Sequence, residues 1–318
     1  MSASGVYDGR YRMPETRALL PSWRAGSTRD AIVAFLDAVT EVPVERRVAC
    51  LDNDGTLWCE RPSYVQLDFF IDVLKQAVAR DPGVAQEAEF AALLSGDRAA
   101  VDELGLERIA MALSGLCAGI SPEEFTARVR DFMSRARHAT LDRPILATVY
   151  QPMLELLDAL RSLDFTICVV TGGGTEFVRA VSDDLYGVPP ERVVGTLLEY
   201  DVVDPDGSPS LVRSTRLFGA ANEGAAKLSG IQTQLGRRPI LGVGNSGGDR
   251  QMLAWAASGE GPTLALVVDH DDAEREFSYR SKAESFTETE PITDVAARLG
   301  WTVASMARDW DTVFPPLG

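Results

Sequence analysis

Short apolar runs recur along the chain, and each of them ends in glycine or acidic residues. Helix-like sequence follows them, as in Arg250–Ala257. Continuous apolar strands that alternate with helices are typical of a parallel sheet covered on both faces, whose ligands bind beyond the carboxyl ends of the strands. We therefore predict a doubly wound α/β core. Its four predicted strands are residues 47–51, 165–170, 239–243 and 263–268.

Residues 63–142 differ from this pattern, because apolar residues recur there at helical spacing and no strong strand is visible. The run that begins at Phe69 shows the helical period most clearly. We predict a helical insertion, a cap, between the first and second strands. Residues 1–62 and 143–318 then form the core.

Two further segments have their own character. Residues 1–26 are polar and contain several prolines and glycines, so we interpret them as an extended leader along the core. Residues 193–214 carry apolar runs on both sides of the turn sequence DPDG at 204–207. This arrangement predicts a hairpin.

The composition is that of a globular protein with material for a large core, since 45% of the 318 residues are hydrophobic and 25% are charged. The formal charge of -16 argues against a nucleic-acid partner, because such proteins usually present a basic surface. The four cysteines form no CxxC pair, which fits a reducing compartment. The sequence shows neither a secretory signal nor the roughly 18 apolar residues of a membrane span. We therefore expect a cytoplasmic protein with no membrane partner.

Two carboxylates, Asp52 and Asp54, follow the first predicted strand in the sequence DNDGT. A tight loop through Gly55 can turn both side chains into one site. One carboxylate can then attack phosphorus while the other transfers the protons of the leaving group and of the incoming water. Asp-Gly turns are also common at strand ends without any chemistry, so this motif alone leaves both interpretations open.

Polar motifs also follow later strands. Thr171 precedes three glycines, the sequence GNSGGD occupies residues 244–249, and Lys227 lies between the two in helix-like sequence. Together with DNDGT, these motifs resemble the four motifs of the haloacid dehalogenase superfamily, in the same order, across residues 47–272. The resemblance is closest to the phosphoserine-phosphatase-like branch, whose helical cap occupies the place of residues 63–142.

This resemblance implies a Rossmann-like core and Mg²⁺-dependent hydrolysis of a small phosphorylated metabolite through a phospho-aspartyl intermediate. It implies Asp52 as the nucleophile and Asp54 as the general acid and base. Mg²⁺, which prefers oxygen ligands, offsets the negative charge that otherwise repels a carboxylate from a phosphate ester. The further residues that the resemblance implies are Thr171 and Lys227 in catalysis, Asn53, Gly172, Gly173 and Glu60 in phosphate or substrate binding, and Asp52, Asp54, Asn245 and Asp249 as metal ligands.

Some positions depart from the family pattern. The family often has an acid where this chain has Asn245, and Gly247 provides no side chain where close relatives have an acid. Glu60 lies near the flap position from which phosphoserine phosphatases read the substrate amino group, but it is one residue short of that register. His138 and His270 have no obvious partners in the sequence, so we expect no histidine chemistry.

Two alternative functions stay open at this stage. A phosphomutase or another phosphotransferase can use the same four motifs and differs only in the acceptor. A non-catalytic binding protein that keeps the fold is compatible with Asn245 and Gly247. Dehalogenation is disfavoured, because dehalogenating members typically lack the second carboxylate. The sequence identifies neither the substrate nor the oligomeric state.

Overall fold

A six-stranded parallel sheet organises the chain, of which the computed structural model describes residues 19–280 and 290–317. The eight strands of the described residues are β1 (Val48–Leu51), β2 (Thr166–Gly174), β3 (Val193–Thr196), β4 (Leu198–Val203), β5 (Ser210–Leu217), β6 (Leu241–Gly244), β7 (Leu264–Asp269) and β8 (Thr302–Ser305). The order across the main sheet is β3-β2-β1-β6-β7-β8, with every neighbouring pair parallel. β1 therefore lies in the interior of the sheet, between β2 and β6. The predicted parallel sheet is confirmed.

Helices cover both faces of this sheet. Successive residues of a strand point to opposite faces, so one strand contributes to two hydrophobic clusters. The α-helices of the described residues are α1 (Ser27–Ala38), α2 (Val65–Arg80), α3 (Ala88–Ser95), α4 (Arg98–Leu104), α5 (Leu106–Gly115), α6 (Pro122–Arg135), α7 (Gln151–Ser162), α8 (Thr175–Arg179), α9 (Ser182–Tyr186), α10 (Ala225–Leu235), α11 (Arg250–Ala257), α12 (Ile292–Leu299) and α13 (Met306–Asp309). Leu51 belongs to one hydrophobic cluster with Leu36 of α1. Cys50 belongs to another with Ile231 of α10 and Met252 of α11. The sheet is thus doubly wound, as predicted.

Helices α2 to α6 lie between β1 and β2 in the chain, where the sequence predicts a helical insertion. Phe69 of α2 is at the centre of its aromatic packing. The Phe69 ring centroid lies 5.6 Å from that of Phe125 and 5.7 Å from that of Phe132, both on α6, and 5.5 Å from that of Phe177 on α8. The insertion therefore packs directly against the core helix that follows β2. Its status as a cap domain bounded by residues 63 and 142 stays a prediction.

The predicted hairpin at residues 193–214 is wrong in its first strand. Residues Val193–Thr196 form β3, which pairs in parallel with β2 at the edge of the main sheet. The hairpin consists of β4 and β5, and it turns through Pro205–Gly207 as the DPDG sequence indicates. Val193, Val194 and Gly195 are buried, which explains their place in the main sheet rather than in an exposed ribbon.

Two other differences concern strands. β2 extends beyond residue 170 through the glycines to Gly174, and β8 was not predicted.

Most of the predicted leader, residues 1–18, lies outside the described residues. None of the helices in the described ranges has both the length and the apolar character needed to cross a membrane.

Candidate active site

The acidic loop after β1 places Asp52 at the carboxyl edge of the sheet. The Asp52 backbone N–H donates to Val243 O of β6 at 2.9 Å, and the residue is only 6% exposed. Gly55 then turns the chain with a φ of 72°. A side chain at Gly55 would overlap the amide of Asn245, so the turn needs glycine both for its conformation and for space. Asp54 stays partly accessible, and its Oδ1 accepts from Trp58 Nε1 at 2.9 Å.

Lys227 joins the loops that follow β1 and β6. Its Nζ donates to Asp52 Oδ1 and to Asp249 Oδ1, each at 2.6 Å, and to the carbonyl of Val170 at 3.1 Å. The lysine is 3% exposed although it lies in the first turn of α10. One buried ammonium thus holds two carboxylates from different strand ends together.

Burial and the neighbouring charges together raise the pKa values of Asp52, Asp54 and Lys227. Burial raises the pKa of Asp52, and the Asp249 carboxylate raises it further against the opposing effect of Lys227. Burial lowers the pKa of Lys227, but the two carboxylates outweigh it and raise that pKa above its ordinary value. Burial also raises the pKa of Asp54, the direction that suits a group that donates a proton. The cluster has more negative charge than one ammonium neutralises.

Asp249 organises the loop after β6. Its Oδ2 accepts from the backbone N–H groups of Asn245 and Ser246, each at 3.0 Å, while its Oδ1 binds Lys227. Asp249 is fully buried and precedes α11, which begins at Arg250 as predicted. Because both oxygens already accept hydrogen bonds, Asp249 is better placed to contribute charge and hold Lys227 than to ligate a metal directly.

Thr171 lies within β2, beside the acidic loop. It is fully buried, and its Oγ1 accepts from Gly173 N at 2.9 Å. Its hydrogen bond to the Asp54 carboxyl opposes in part the rise that burial causes in the pKa of Asp54. Gly172 and Gly173 are partly exposed, so their backbone is accessible from this edge. A Cβ on Gly172 would lie 2.7 Å from Glu223 Oε1, so the Glu223 side chain would have to move to make room for it. The glycines therefore allow close approach of a ligand to the main chain.

Two residues predicted to bind phosphate or substrate have side chains that bind protein groups instead. Asn53 is fully buried, and its Oδ1 accepts from Tyr186 Oη at 3.0 Å. Glu60 is 8% exposed, and its Oε1 accepts from Asn245 Nδ2 at 3.1 Å and from Tyr279 Oη at 2.7 Å. Both residues lie beside the acidic loop, but these side chains are already engaged.

The oxygen atoms near Asp52 suit a hard cation such as Mg²⁺. Thr56 Oγ1 lies 3.4 Å from Asp52 Oδ2 and 3.5 Å from Asn245 Oδ1. Within the part of the chain that the structure describes, no group of three or more His, Cys, Asp or Glu side chains could hold a metal ion. The predicted ligands are of another kind, since they include an amide oxygen and the Asp54 backbone carbonyl. Oxygen donors and an excess of negative charge fit Mg²⁺.

Three neighbours of the site were missed by sequence reasoning. His270, for which we expected no role, is buried after β7 and lies with Nε2 2.8 Å from the carbonyl of Gly55. Tyr279 contacts Glu60, and Gln66 at the start of α2 accepts from Gly174 N at 2.9 Å. The position of His270 just after a predicted strand was the one available signal, because the DNDGT and GNSGGD motifs also follow strands.

Comparisons with known proteins concern the fold and the family of the chain. The family model for haloacid dehalogenase-like hydrolases matches residues 49–254. A solved structure of a protein of unknown function from Bordetella pertussis Tohama I has a TM-score of 0.50 and 17% identity, and the match covers 81% of this chain and 97% of that one. A probable phosphoserine phosphatase from Vibrio cholerae has a TM-score of 0.41 and 15% identity, with 87% of this chain and 73% of that one covered.

The structural likenesses and the family match carry different weight. At 17% identity, the likeness to the Bordetella protein concerns the fold alone. A search of curated proteins found no match. The family model, in contrast, covers more than half of the chain, from β1 to α11. The matched residues include all four motifs, from DNDGT through Thr171 and Lys227 to GNSGGD. The chain belongs to the haloacid dehalogenase-like hydrolases.

Proposed function

We propose that this protein hydrolyses a small phosphomonoester with the help of Mg²⁺, and that Asp52 carries the phosphoryl group between two half-reactions. The observation that carries the proposal is the position of Lys227 Nζ, 2.6 Å from both Asp52 and Asp249. An ammonium held this way favours the ionised form of Asp52 against the effect of burial and adds positive charge where a phosphate must approach.

The two half-reactions use the two carboxylates of the acidic loop. In the first, an oxygen of Asp52 forms a bond to phosphorus, the bond to the leaving oxygen breaks, and Asp54 gives its proton to that oxygen. In the second, water attacks the phosphorus of the phospho-aspartate and gives a proton to Asp54, so that phosphate leaves and Asp52 is regenerated. The indole of Trp58 holds Asp54 in place for both steps.

The remaining predicted residues bind and orient. The Thr171 hydroxyl and the backbone N–H groups near Gly172 are suited to bind phosphoryl oxygens. Asp52, the Asp54 carbonyl and Asn245 would hold Mg²⁺, and Asp249 would contribute charge. When bound there, Mg²⁺ neutralises negative charge on the phosphoryl group and on its attacking carboxylate.

We further propose that residues 63–142 act as a cap that closes over the substrate and excludes water during the first half-reaction. The contact of Gln66 with the backbone of Gly174 supports this, because it brings the insertion to the glycine loop. A small phosphorylated metabolite is the expected partner. Four buried free cysteines support a reducing compartment, the cytoplasm.

The test is a panel of phosphomonoesters assayed with MgCl₂ and with EDTA, on the wild type and on Asp52→Asn. We expect Mg²⁺-dependent phosphate release by the wild type and a loss of about 10³-fold or more in kcat in the variant. Circular dichroism and thermal melting check that the variant is folded. Activity that persists in folded Asp52→Asn would reassign the nucleophile. A wild type that binds phosphomonoesters without turning them over would indicate a non-catalytic binding protein.

A further inference from the structure

Glu60 and Asn245 form a buried pair directly behind the acidic loop. Asn245 is 1% exposed, and its Nδ2 lies 3.1 Å from Glu60 Oε1. The other end of the amide, Oδ1, lies 3.5 Å from Thr56 Oγ1, which is itself 3.4 Å from Asp52 Oδ2. The amide nitrogen thus points toward Glu60 and the amide oxygen toward the nucleophile.

The chemistry of Glu60 explains this orientation. Glu60 Oε1 accepts a hydrogen bond from Tyr279 Oη, so it is an acceptor and the end of the amide that faces it has to be the NH₂ group. His270 Nε2 also lies 3.5 Å from Asn245 Nδ2, but it is 2.8 Å from the carbonyl of Gly55. A carbonyl only accepts, so the Nε2 proton belongs to that contact and His270 offers no acceptor to the amide. Glu60 is therefore the group that fixes which end of Asn245 faces Asp52.

Glu60 is itself held in place from the far end of the chain. Tyr279 Oη donates to the same Oε1 at 2.7 Å. The Tyr279 ring stacks on His270, with ring centroids 4.4 Å apart, and the Arg61 guanidinium lies 4.5 Å from the Tyr279 ring centroid. A carboxylate that accepts from two buried donors is poorly placed to read a substrate, which is the role that the resemblance suggests for this position.

We propose that Glu60 is a positioning residue for the cation site, because it orients the Asn245 amide oxygen toward Asp52. From its position behind Asn245, Glu60 also supplies the negative charge that the neutral amide lacks. The inference rests on the Mg²⁺ site of the proposed function. Outer-shell partners of this kind orient metal ligands and tune affinity. Glu60 then acts on Mg²⁺ binding, not on substrate selection.

The experiment is calorimetric titration of MgCl₂ into the substrate-free wild type, Glu60→Gln, Asn245→Asp and the double variant. Glu60→Gln should weaken Mg²⁺ binding by about 10- to 100-fold, because a glutamine can present either end to Asn245. Asn245→Asp places two carboxylates against each other. In the double variant, the introduced glutamine donates from its amide to the introduced aspartate. The pair again has one carboxylate and one amide, with their positions exchanged, so the affinity for Mg²⁺ should return close to that of the wild type.

Two further variants sharpen the test. Tyr279→Phe keeps the ring that stacks on His270 but removes the hydroxyl donor to Glu60, and it should weaken Mg²⁺ binding less than Glu60→Gln does. Glu155→Gln is the matched control. Glu155 is also buried, at 7% exposure, and it accepts from Ser22 far from the site. Its substitution should leave the dissociation constant for Mg²⁺ unchanged.

The outcomes separate this inference from the proposed function. Weaker Mg²⁺ binding by Glu60→Gln together with recovery in the double variant supports the positioning role. Unchanged Mg²⁺ binding by Glu60→Gln, or a double variant that binds Mg²⁺ no better than Glu60→Gln, overturns it even if the wild type is an active Mg²⁺-dependent phosphatase. A rise in KM without a change in Mg²⁺ affinity assigns Glu60 to the substrate instead. A wild type that binds no Mg²⁺ overturns both.

Discussion

Two buried cations of this protein, Lys227 and Arg213, have opposite electrostatic surroundings. Each is 3% exposed. Lys227 contacts two carboxylates, whereas Arg213 forms an ion pair with Glu176 and stacks over the Phe125 ring at 3.8 Å. The surroundings raise the pKa of Lys227, while burial lowers the pKa of Arg213 to about 10. The first cluster has two carboxylates for one ammonium, and the second is a balanced pair of one carboxylate and one guanidinium.

The position of Arg213 shows what a balanced pair does here. Its backbone N–H donates to Ile120 O at 2.9 Å, and its carbonyl accepts from Gly119 N at 2.8 Å. Arg213 lies on β5 and Glu176 on α8, so the pair joins the hairpin, the helical insertion and the core. A buried charge with one partner completes a structural contact, and buried carboxylates in excess leave a place for another cation. This difference in charge balance distinguishes the candidate active site around Lys227 from the structural contact around Arg213.

The largest effect should come from exchanging a carboxylate for an amide in each region. Asp54→Asn removes the group that donates the proton to the leaving oxygen, so kcat should fall by about 10²–10⁴-fold. Glu176→Gln, the same chemical change at the balanced pair, should lower stability and leave kcat nearly unchanged. Steady-state kinetics on the best substrate of the phosphatase panel measures both. Equal losses of kcat would contradict the contrast between the two regions.

Removal of each buried cation should destabilise the protein, and Mg²⁺ should offset the loss of stability in only one of the two regions. Lys227→Met and Arg213→Met each leave buried carboxylate charge without its partner, which should cost about 3–5 kcal/mol of unfolding free energy in urea denaturation. Mg²⁺ should restore part of that loss in Lys227→Met, because a dication can neutralise Asp52 and Asp249. Arg213→Met should gain no more from Mg²⁺ than the wild type does. The contrast fails if Mg²⁺ rescues both variants alike.

A smaller effect is expected from the two buried indole groups that donate hydrogen bonds. Trp58→Phe removes the donor to Asp54 Oδ1 and should lower kcat about tenfold. Trp23→Phe removes a donor to the carbonyl of Pro152, also at 2.9 Å, but far from the acidic loop. Both variants should be less stable, as thermal melting can show, and only Trp58→Phe should be slower. A similar decrease in kcat for Trp23→Phe would mean that general loosening, not the contact with Asp54, is responsible.

Much of the site follows from the sequence because of the parallel sheet. The carboxyl ends of neighbouring parallel strands meet at one edge, so Asp52, Thr171 and Asn245 had to lie close together once their strands were predicted. Lys227 was harder, since its pattern does not differ from that of an exposed helical lysine such as Lys75. Only the fold shows that its side chain reaches two carboxylates.

The parts that sequence could not provide depend on edge strands or on long-range contacts. β3 and β8 lie at the two edges of the sheet, and neither is followed directly by the glycine-rich or acidic sequence that marks the ends of the four predicted strands. The contact of Tyr279 with Glu60 joins residues 219 positions apart. A single sequence contains no local signal for such a pair, and it therefore suggested a substrate contact for Glu60 instead.

The most direct test of the account is to trap the phosphoryl group on the enzyme. The wild type is mixed with its best phosphomonoester and MgCl₂, quenched during turnover, reduced with borohydride and digested for peptide mass spectrometry. Borohydride converts an acyl phosphate to an alcohol, so the account predicts homoserine at position 52 in the wild type and unmodified residues in the absence of substrate. An intact Asp52 during turnover, or homoserine at Asp54 or Asp249 instead, would contradict it.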